Sequence, residues 1–225
     1  MMRRHALVLF ILFLFPTISL GATNDPFLYL TWKARSYTPD DYLGKIIPGA
    51  NSPILVSLEA LENGKIVDLK NSTIKWYVDS ELYSTGIGQK SFTIRTPKKL
   101  TSGIMKVRAE ITNRWSSIKI KTIDIPISPP VVILKSNYLS QSFGDNKISV
   151  RAYPYFFGVS SLSDLVFSWK VNGLTVNSAE NPQIVDVSFN KDADPGSAIT
   201  VESSITNPNG SSESAYKSSV FKYIP

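Results

Sequence analysis

The chain has 225 residues, a formal net charge of +6, no cysteine and a single histidine, His5. Without cysteine there are no disulfides and no thiolate chemistry. With the only histidine near the N-terminus, Ser–His and Cys–His catalysis and histidine-bearing zinc sites are removed from everything beyond it. Stability must come from burial, and this length supplies one large core or two ordinary ones.

The first element is a basic head, Met1 to His5 with Arg3 and Arg4, followed by an apolar run from Ala6 to Phe15. Pro16 and Thr17 break the run, and small residues follow at Ser19, Gly21 and Ala22. This is the three-part pattern of a secretory signal, with cleavage expected after Gly21 or Ala22. The rival reading is an uncleaved anchor, although the apolar run falls short of the ~20 residues that a spanning helix needs. No cysteine follows to take a lipid, and no second apolar stretch follows either. Residues 22–225 are therefore expected outside the cytoplasm: secreted, periplasmic or on the cell surface, with membrane contact only through the signal or anchor.

Beyond the signal, the stretch from Thr31 to Pro48 reads as an edge strand and a long loop held by Tyr37 and Tyr42. Ile74, Trp76 and Val78 then alternate, as do Phe92 and Ile94, and Met105, Val107, Ala109 and Ile111. A period of 2 marks half-buried strands of antiparallel sheet. Asp124 to Pro130 holds three prolines, Pro126, Pro129 and Pro130, and reads as a stiff extended linker that leaves the first sheet. The pattern then returns. Phe167, Trp169 and Val171 lie 93 residues beyond Ile74, Trp76 and Val78, and Val185 and Val187 lie 93 beyond Phe92 and Ile94. Ile148, Val150 and Ala152 follow Ile54, Val56 and Leu58 at 94. Blocks in the same order at nearly constant spacing predict two homologous modules, 22–128 and 129–225, after a signal at 1–21. Short alternating strands separated by turns such as Asn63-Gly64 and Asn172-Gly173 predict an all-β chain of two tandem β-sandwiches.

The second module resembles bacterial immunoglobulin-like modules of the PKD type. The resemblance is carried by Pro195, Gly196, Val201, Ile205, Asn207 and Gly210. It departs where that family has an acidic turn after the tryptophan, since Lys170 to Gly173 stand there instead. The resemblance covers most of 130–225 and, more loosely, 26–128. It implies a fold and an extracellular setting, not a ligand.

Few residues point to chemistry. Asp40 with Asp41, and Asp192 with Asp194, could serve acid–base work or calcium, but calcium takes six to eight oxygens and Asp also caps turns. No Gly-rich phosphate loop occurs. Trp76 and Trp169 sit within inward triplets and are expected in the cores. Trp115, Tyr153, Tyr155, Phe156 and Phe157 form a candidate aromatic patch, against the alternative that Phe156 and Phe157 plug the end of a sandwich.

Charge is shared unevenly: 22–128 holds 15 basic and 10 acidic side chains, and 129–225 holds 7 and 8. If Ile118 and Ile120 point inward, Lys106, Arg108, Lys119 and Lys121 share one outer face. That face would suit an anionic partner or serve as a solvated edge. The expected function is a non-enzymatic binding or structural protein of the cell surface, of the adhesion or envelope-assembly type, with a protein or envelope polymer as partner. No cofactor, metal or nucleic acid is expected. The alternative is an accessory carbohydrate-binding module or a fragment of a secreted hydrolase system.

Overall fold

The computed structural model describes residues 25–98, 102–138, 140–177, 180–190, 193–209 and 213–225. The signal segment, Lys99, Asp192 and Gly210 lie outside the described residues. Eight strands surround the first core: β1 (Phe27–Ala34), β2 (Pro53–Glu62), β3 (Lys65–Ile66), β4 (Thr73–Val78), β5 (Glu81–Ile87), β6 (Ser91–Arg95), β7 (Gly103–Thr112) and β8 (Lys119–Ile127). Eight more surround the second: β9 (Val131–Ser136), β10 (Ser142–Phe143), β11 (Lys147–Tyr155), β12 (Val166–Val171), β13 (Leu174–Val176), β14 (Ile184–Ser188), β15 (Ala198–Thr206) and β16 (Ser214–Tyr223). Among the described residues the helical element is one 3-10 turn, Leu162–Asp164, and no helix is long and apolar enough to cross a membrane.

Each core lies between two sheets. In the first, β2 carries β1 and β6 at its sides, with β3 at its end, and faces the order β5-β4-β7-β8. In the second, β14-β11-β9 faces β10-β16-β15-β12-β13. The chain is an all-β pair of immunoglobulin-like sandwiches. Alternation builds them: Ile54, Val56, Leu58 and Ala60 of β2 are buried, while Leu55 and Glu59 between them are exposed. Each large apolar side chain taken from water stabilises the fold by roughly 1.5–3 kcal/mol. The apolar clusters draw their buried members from 28–125 and from 132–223.

The repeat seen in the sequence recurs in the register. The pairings β1–β2, β2–β6, β4–β5, β4–β7 and β7–β8 return as β9–β11, β11–β14, β12–β13, β12–β15 and β15–β16. The indole N–H groups of Trp76 and Trp169 donate to the carbonyls of Gln89 and Pro182, each at 2.9 Å and each 13 residues on. The turns leaving the two tryptophan strands also match. Asp79 and Asn172 take positive φ, +47° and +49°. Their side-chain oxygens accept from the amides of Lys106 and Thr200, both at 2.9 Å. Short polar side chains tolerate this left-handed conformation because they bond locally.

The linker is shorter than the proline pattern implied. Asp124 to Ile127 stay in β8, with Pro126 opposite Ile104. β8 is an edge strand, where proline's missing donor breaks no ladder, so only Ser128 to Pro130 connect the sandwiches. The modules 22–128 and 129–225, expressed apart, are expected to unfold cooperatively in urea. The second should have the lower midpoint than in the whole chain, because Tyr37 packs against its core from the other module. If neither piece folds alone, the 128/129 division is wrong.

Candidate functional site

The four cations expected on one face are split between two. β8 carries isoleucines in both phases, and its longer run, Ile123, Ile125 and Ile127, is the inward one. Ile125 is fully buried opposite Met105, so Ile118 and Ile120 point to solvent, 57% and 53% exposed. Lys119 and Lys121 therefore share the inward side with Ile125. They close the gap towards β1, where the Lys119 ammonium is 2.6 Å from Asp25 and that of Lys121 is 5.6 Å from the Phe27 ring centre. Lys106 and Arg108 do face outward, but within a self-neutralised array. Lys106 pairs with Asp124 at 3.0 Å, and Arg108 pairs with Glu110 at 3.3 Å and lies over the Tyr77 ring. A further group of exposed cations of the first module lies on the outer face of β1, β2 and β6. There Arg35 and Arg95 flank Pro53, and Lys33 lies one row away.

The aromatic patch is likewise dispersed. Trp115 packs against the first core, and its indole donates to Glu62 at 3.1 Å, so the turn buries it more than its neighbours implied. Phe157 is fully buried in the second core, and Tyr155 is buried. Tyr155 and Phe156 meet the Tyr42 ring edge-on at 5.6 and 5.8 Å. These contacts belong to a joint between the sandwiches. The Tyr37 amide donates to the Phe157 carbonyl and the Phe156 amide to the Tyr37 carbonyl, both at 2.7 Å. Burial raises the Tyr37 phenol pKa, and the charge of Asp40 adds to the rise. Loop residues 35–52 are pinned from below by buried hydroxyls. Thr96 donates to the Gly49 carbonyl at 2.5 Å, Ser36 accepts from the Gly49 amide at 3.0 Å, and Ser36 and Ser52 bond at 2.8 Å. Asp40 and Asp41 are exposed beside a turn closed by the Tyr42 amide on the Pro39 carbonyl, and Asp194 is exposed in the turn before β15. Among the described residues, no three His, Cys, Asp or Glu side chains gather to hold a cation.

Only Tyr153 of the five aromatics faces outward on a sheet, and it lines a surface hollow. In β11, Ile148, Val150 and Ala152 turn into the core, which sends Ser149, Arg151 and Tyr153 to the outer face. β9 places Lys135 directly opposite Arg151. The Lys135 ammonium lies 4.9 Å, and the Arg151 guanidinium carbon 6.0 Å, from the Tyr153 ring centre. Asn137 and Ile184 complete a hollow of about 270 Å³. The Asn137 carboxamide oxygen accepts from the Ser149 amide at 3.2 Å, and its NH₂ donates to the Tyr138 hydroxyl, with a second N–H remaining. Asp186, at the rim, is taken up by its neighbours. The Ser149 hydroxyl donates to it and Lys147 pairs with it at 2.9 Å, and these two contacts hold its carboxyl below the usual carboxylate range, the hydrogen bond from Ser149 contributing most. Across β9 lies a second hollow, of about 320 Å³, that shares Lys135 and Ser136 with the first. Sequence reading reached Tyr153 but not Arg151 or Lys135. Alternation alone puts Arg151 outside, yet its partner is fixed only by the register of β9 on β11.

No family model matches the chain, and no curated protein matches it. Several solved structures are similar at low identity. The chain is 13% identical to the fibronectin(III)-like modules of Clostridium thermocellum CbhA, with a TM-score of 0.32, covering 87% of this chain and 94% of that one. It is 13% identical to the three N-terminal domains of the bacteriophage RB49 highly immunogenic outer capsid protein, with a TM-score of 0.40, covering 87% and 58%. It is 14% identical to a Bacteroides ovatus protein, SGBP-B of a mixed-linkage glucan utilization locus, in complex with a mixed-linkage heptasaccharide; the TM-score is 0.25 and the coverage 85% and 47%. The fold assignment rests on the register and the two cores, not on these likenesses.

Proposed function

We propose that the chain is a non-enzymatic binding or structural protein acting outside the cytoplasm, at the cell surface. The observation that carries this reading is the joint. Paired backbone bonds between Tyr37 and Phe156–Phe157, with Tyr42 packed on Tyr155 and Phe156, hold two sandwiches in one relation. Such a joint keeps their outer faces in a fixed geometry, which suits presentation of a surface to a partner and does not require a reactive centre. The N-terminal signal pattern supports the compartment. The accessory carbohydrate-binding reading is favoured by one observation, the donor-lined hollow beside Tyr153. The test is fractionation followed by binding: the chain should appear in the extracytoplasmic fraction, and purified protein should bind isolated cell envelopes saturably. Retention in the cytoplasm, or envelopes that take up none of it, would overturn the proposal.

A further inference from the structure

We infer that the outer face of β9, β11 and β14 recognises an acidic polysaccharide, seating the carboxylate of one sugar unit between Arg151 and Lys135. The inference rests on the reading of the chain as a surface binding protein and names the ligand class. Its starting point is an anomaly in cross-strand charge. Among the described residues, five register pairs bring two charged side chains directly opposite each other. Four join unlike charges: Glu62 with Lys65, Lys75 with Glu110, Lys106 with Asp124, and Lys170 with Glu202. The fifth, Arg151 with Lys135, joins two cations. Like charges directly opposite destabilise a sheet, and neither cation has an ion pair among the described residues. This one exception lines a hollow.

The geometry fits an anion. Both cations, opposite each other in the register, lie against the Tyr153 ring, an arrangement that is already organised before a ligand arrives. Arginine offers a planar fork that meets a carboxylate with two hydrogen bonds, and lysine adds a mobile point charge. The rim carboxylate, Asp186, is occupied by Lys147 and Ser149 and leaves these donors free for a ligand.

The remaining wall selects the rest of the molecule. One N–H of the Asn137 amide, the other being taken by the Tyr138 hydroxyl, can donate to a sugar hydroxyl, while Ile184 and the Tyr153 ring offer apolar contact to ring C–H groups. About 270 Å³ falls just below the usual range for pockets that take drug-sized ligands and suits a single ring-sized unit. The neighbouring hollow across the Lys135–Ser136 ridge gives a repeating polymer a second place to lie. An anionic bilayer would touch the tips of a flat or convex face and would have no use for either hollow.

The test uses protein purified from expression of the full 225-residue sequence, with oligogalacturonate as the probe and its methyl-esterified, uncharged form as control. Wild type should bind the acidic oligomer and bind the ester about tenfold more weakly or worse, the scale of a lost charge-assisted hydrogen bond. The Lys135→Gln/Arg151→Gln double variant should lose binding by at least a similar factor. It should also melt no lower than wild type, because a repulsive pair has been removed. Arg151→Lys keeps both charges and removes the fork, so it should bind several-fold more weakly at an unchanged melting temperature. Equal binding by wild type and the double variant, a double variant that melts lower, or a preference for phosphatidylglycerol vesicles over the acidic oligomer would each overturn the inference. Protein that binds cell envelopes but ignores oligogalacturonate would also overturn it, and would leave the proposed function standing.

Discussion

Replacing Trp169 by Ala is expected to destabilise the second sandwich by roughly 3–5 kcal/mol, the range for emptying a large aromatic site. The side chain is 2% exposed and sits among the largest fully buried residues of its core. Its indole N–H donates to the Pro182 carbonyl at 2.9 Å, so truncation also leaves that acceptor unpaired. Trp76→Ala should act on the first sandwich to the same extent. That ring is fully buried, lies 4.6 Å from Phe92 centre to centre, and donates to the Gln89 carbonyl at 2.9 Å. Trp→Phe separates the two contributions: it retains most of the apolar volume and removes the hydrogen bond, for a smaller loss of about 1–2 kcal/mol. A domain is stable by only ~5–15 kcal/mol in all, so either alanine variant should shift its urea midpoint far to the left. A loss under about 1 kcal/mol would mean that these tryptophans do not anchor the sandwiches.

The tryptophans were readable from the sequence because alternation and the 93-residue offset act together. An in-facing position repeated in two modules is constrained twice. The same logic failed at β8, where isoleucines occupy both phases: Ile118 and Ile120 in one, Ile123, Ile125 and Ile127 in the other. A one-residue shift of phase turns every side chain to the other face. What settles the phase is the partner strand: Met105 and Val107 are buried and stand opposite Ile125 and Ile123. Lys119 and Lys121 can follow inward because their long stems reach the edge between the sheets, where the Lys119 charge meets Asp25 and that of Lys121 lies near the Phe27 ring.

The Arg151–Lys135 opposition was hidden for a related reason. Which residues of β9 and β11 meet depends on a register that no turn signal fixes, since β10 and its flanking loops intervene. The joint was half visible. Tyr37 and Tyr42 read as loop anchors and the 155–157 aromatics as a cluster, yet the contact between them spans more than 110 positions. Local pattern carries no information at that range.

That joint carries the second large effect, at Gly158. A Cβ built on Gly158 would lie 2.3 Å from the Ala50 carbonyl oxygen, and one built on Gly49 would lie 1.9 Å from that of Phe156. Neither glycine has a positive φ, so alanine is not disfavoured by its own backbone, and the obstacle is the facing chain. The facing carbonyls cannot swing aside cheaply. Phe156 is held at φ +64° between the two bonds to Tyr37, and the Gly49–Ala50 segment is held by Ser36, Ser52 and Thr96. Overpacking of this kind destabilises by roughly 1–3 kcal/mol. The stiffening of the unfolded chain by Gly→Ala offsets about 0.4–1 kcal/mol of it. Gly158→Ala should be the worse of the two. Its amide donates to both oxygens of Glu213, at 3.0 and 3.1 Å, and Glu213 is 5% exposed with the Asn207 amide as its other side-chain partner at 2.9 Å. Displacing residue 158 leaves a buried carboxylate short of donors, a more expensive loss than a neutral one. The first core lies away from the clash and the second meets it only at its end, through Phe157 and Val159, so each sandwich should stay folded while the joint opens. In solution scattering, Gly158→Ala should show a larger radius of gyration and a broader range of shapes than wild type. In calorimetry its single melting peak should split, as the two sandwiches lose the contacts that couple them. An unchanged scattering curve together with an unchanged melting profile would show that the sandwiches are not held by this contact.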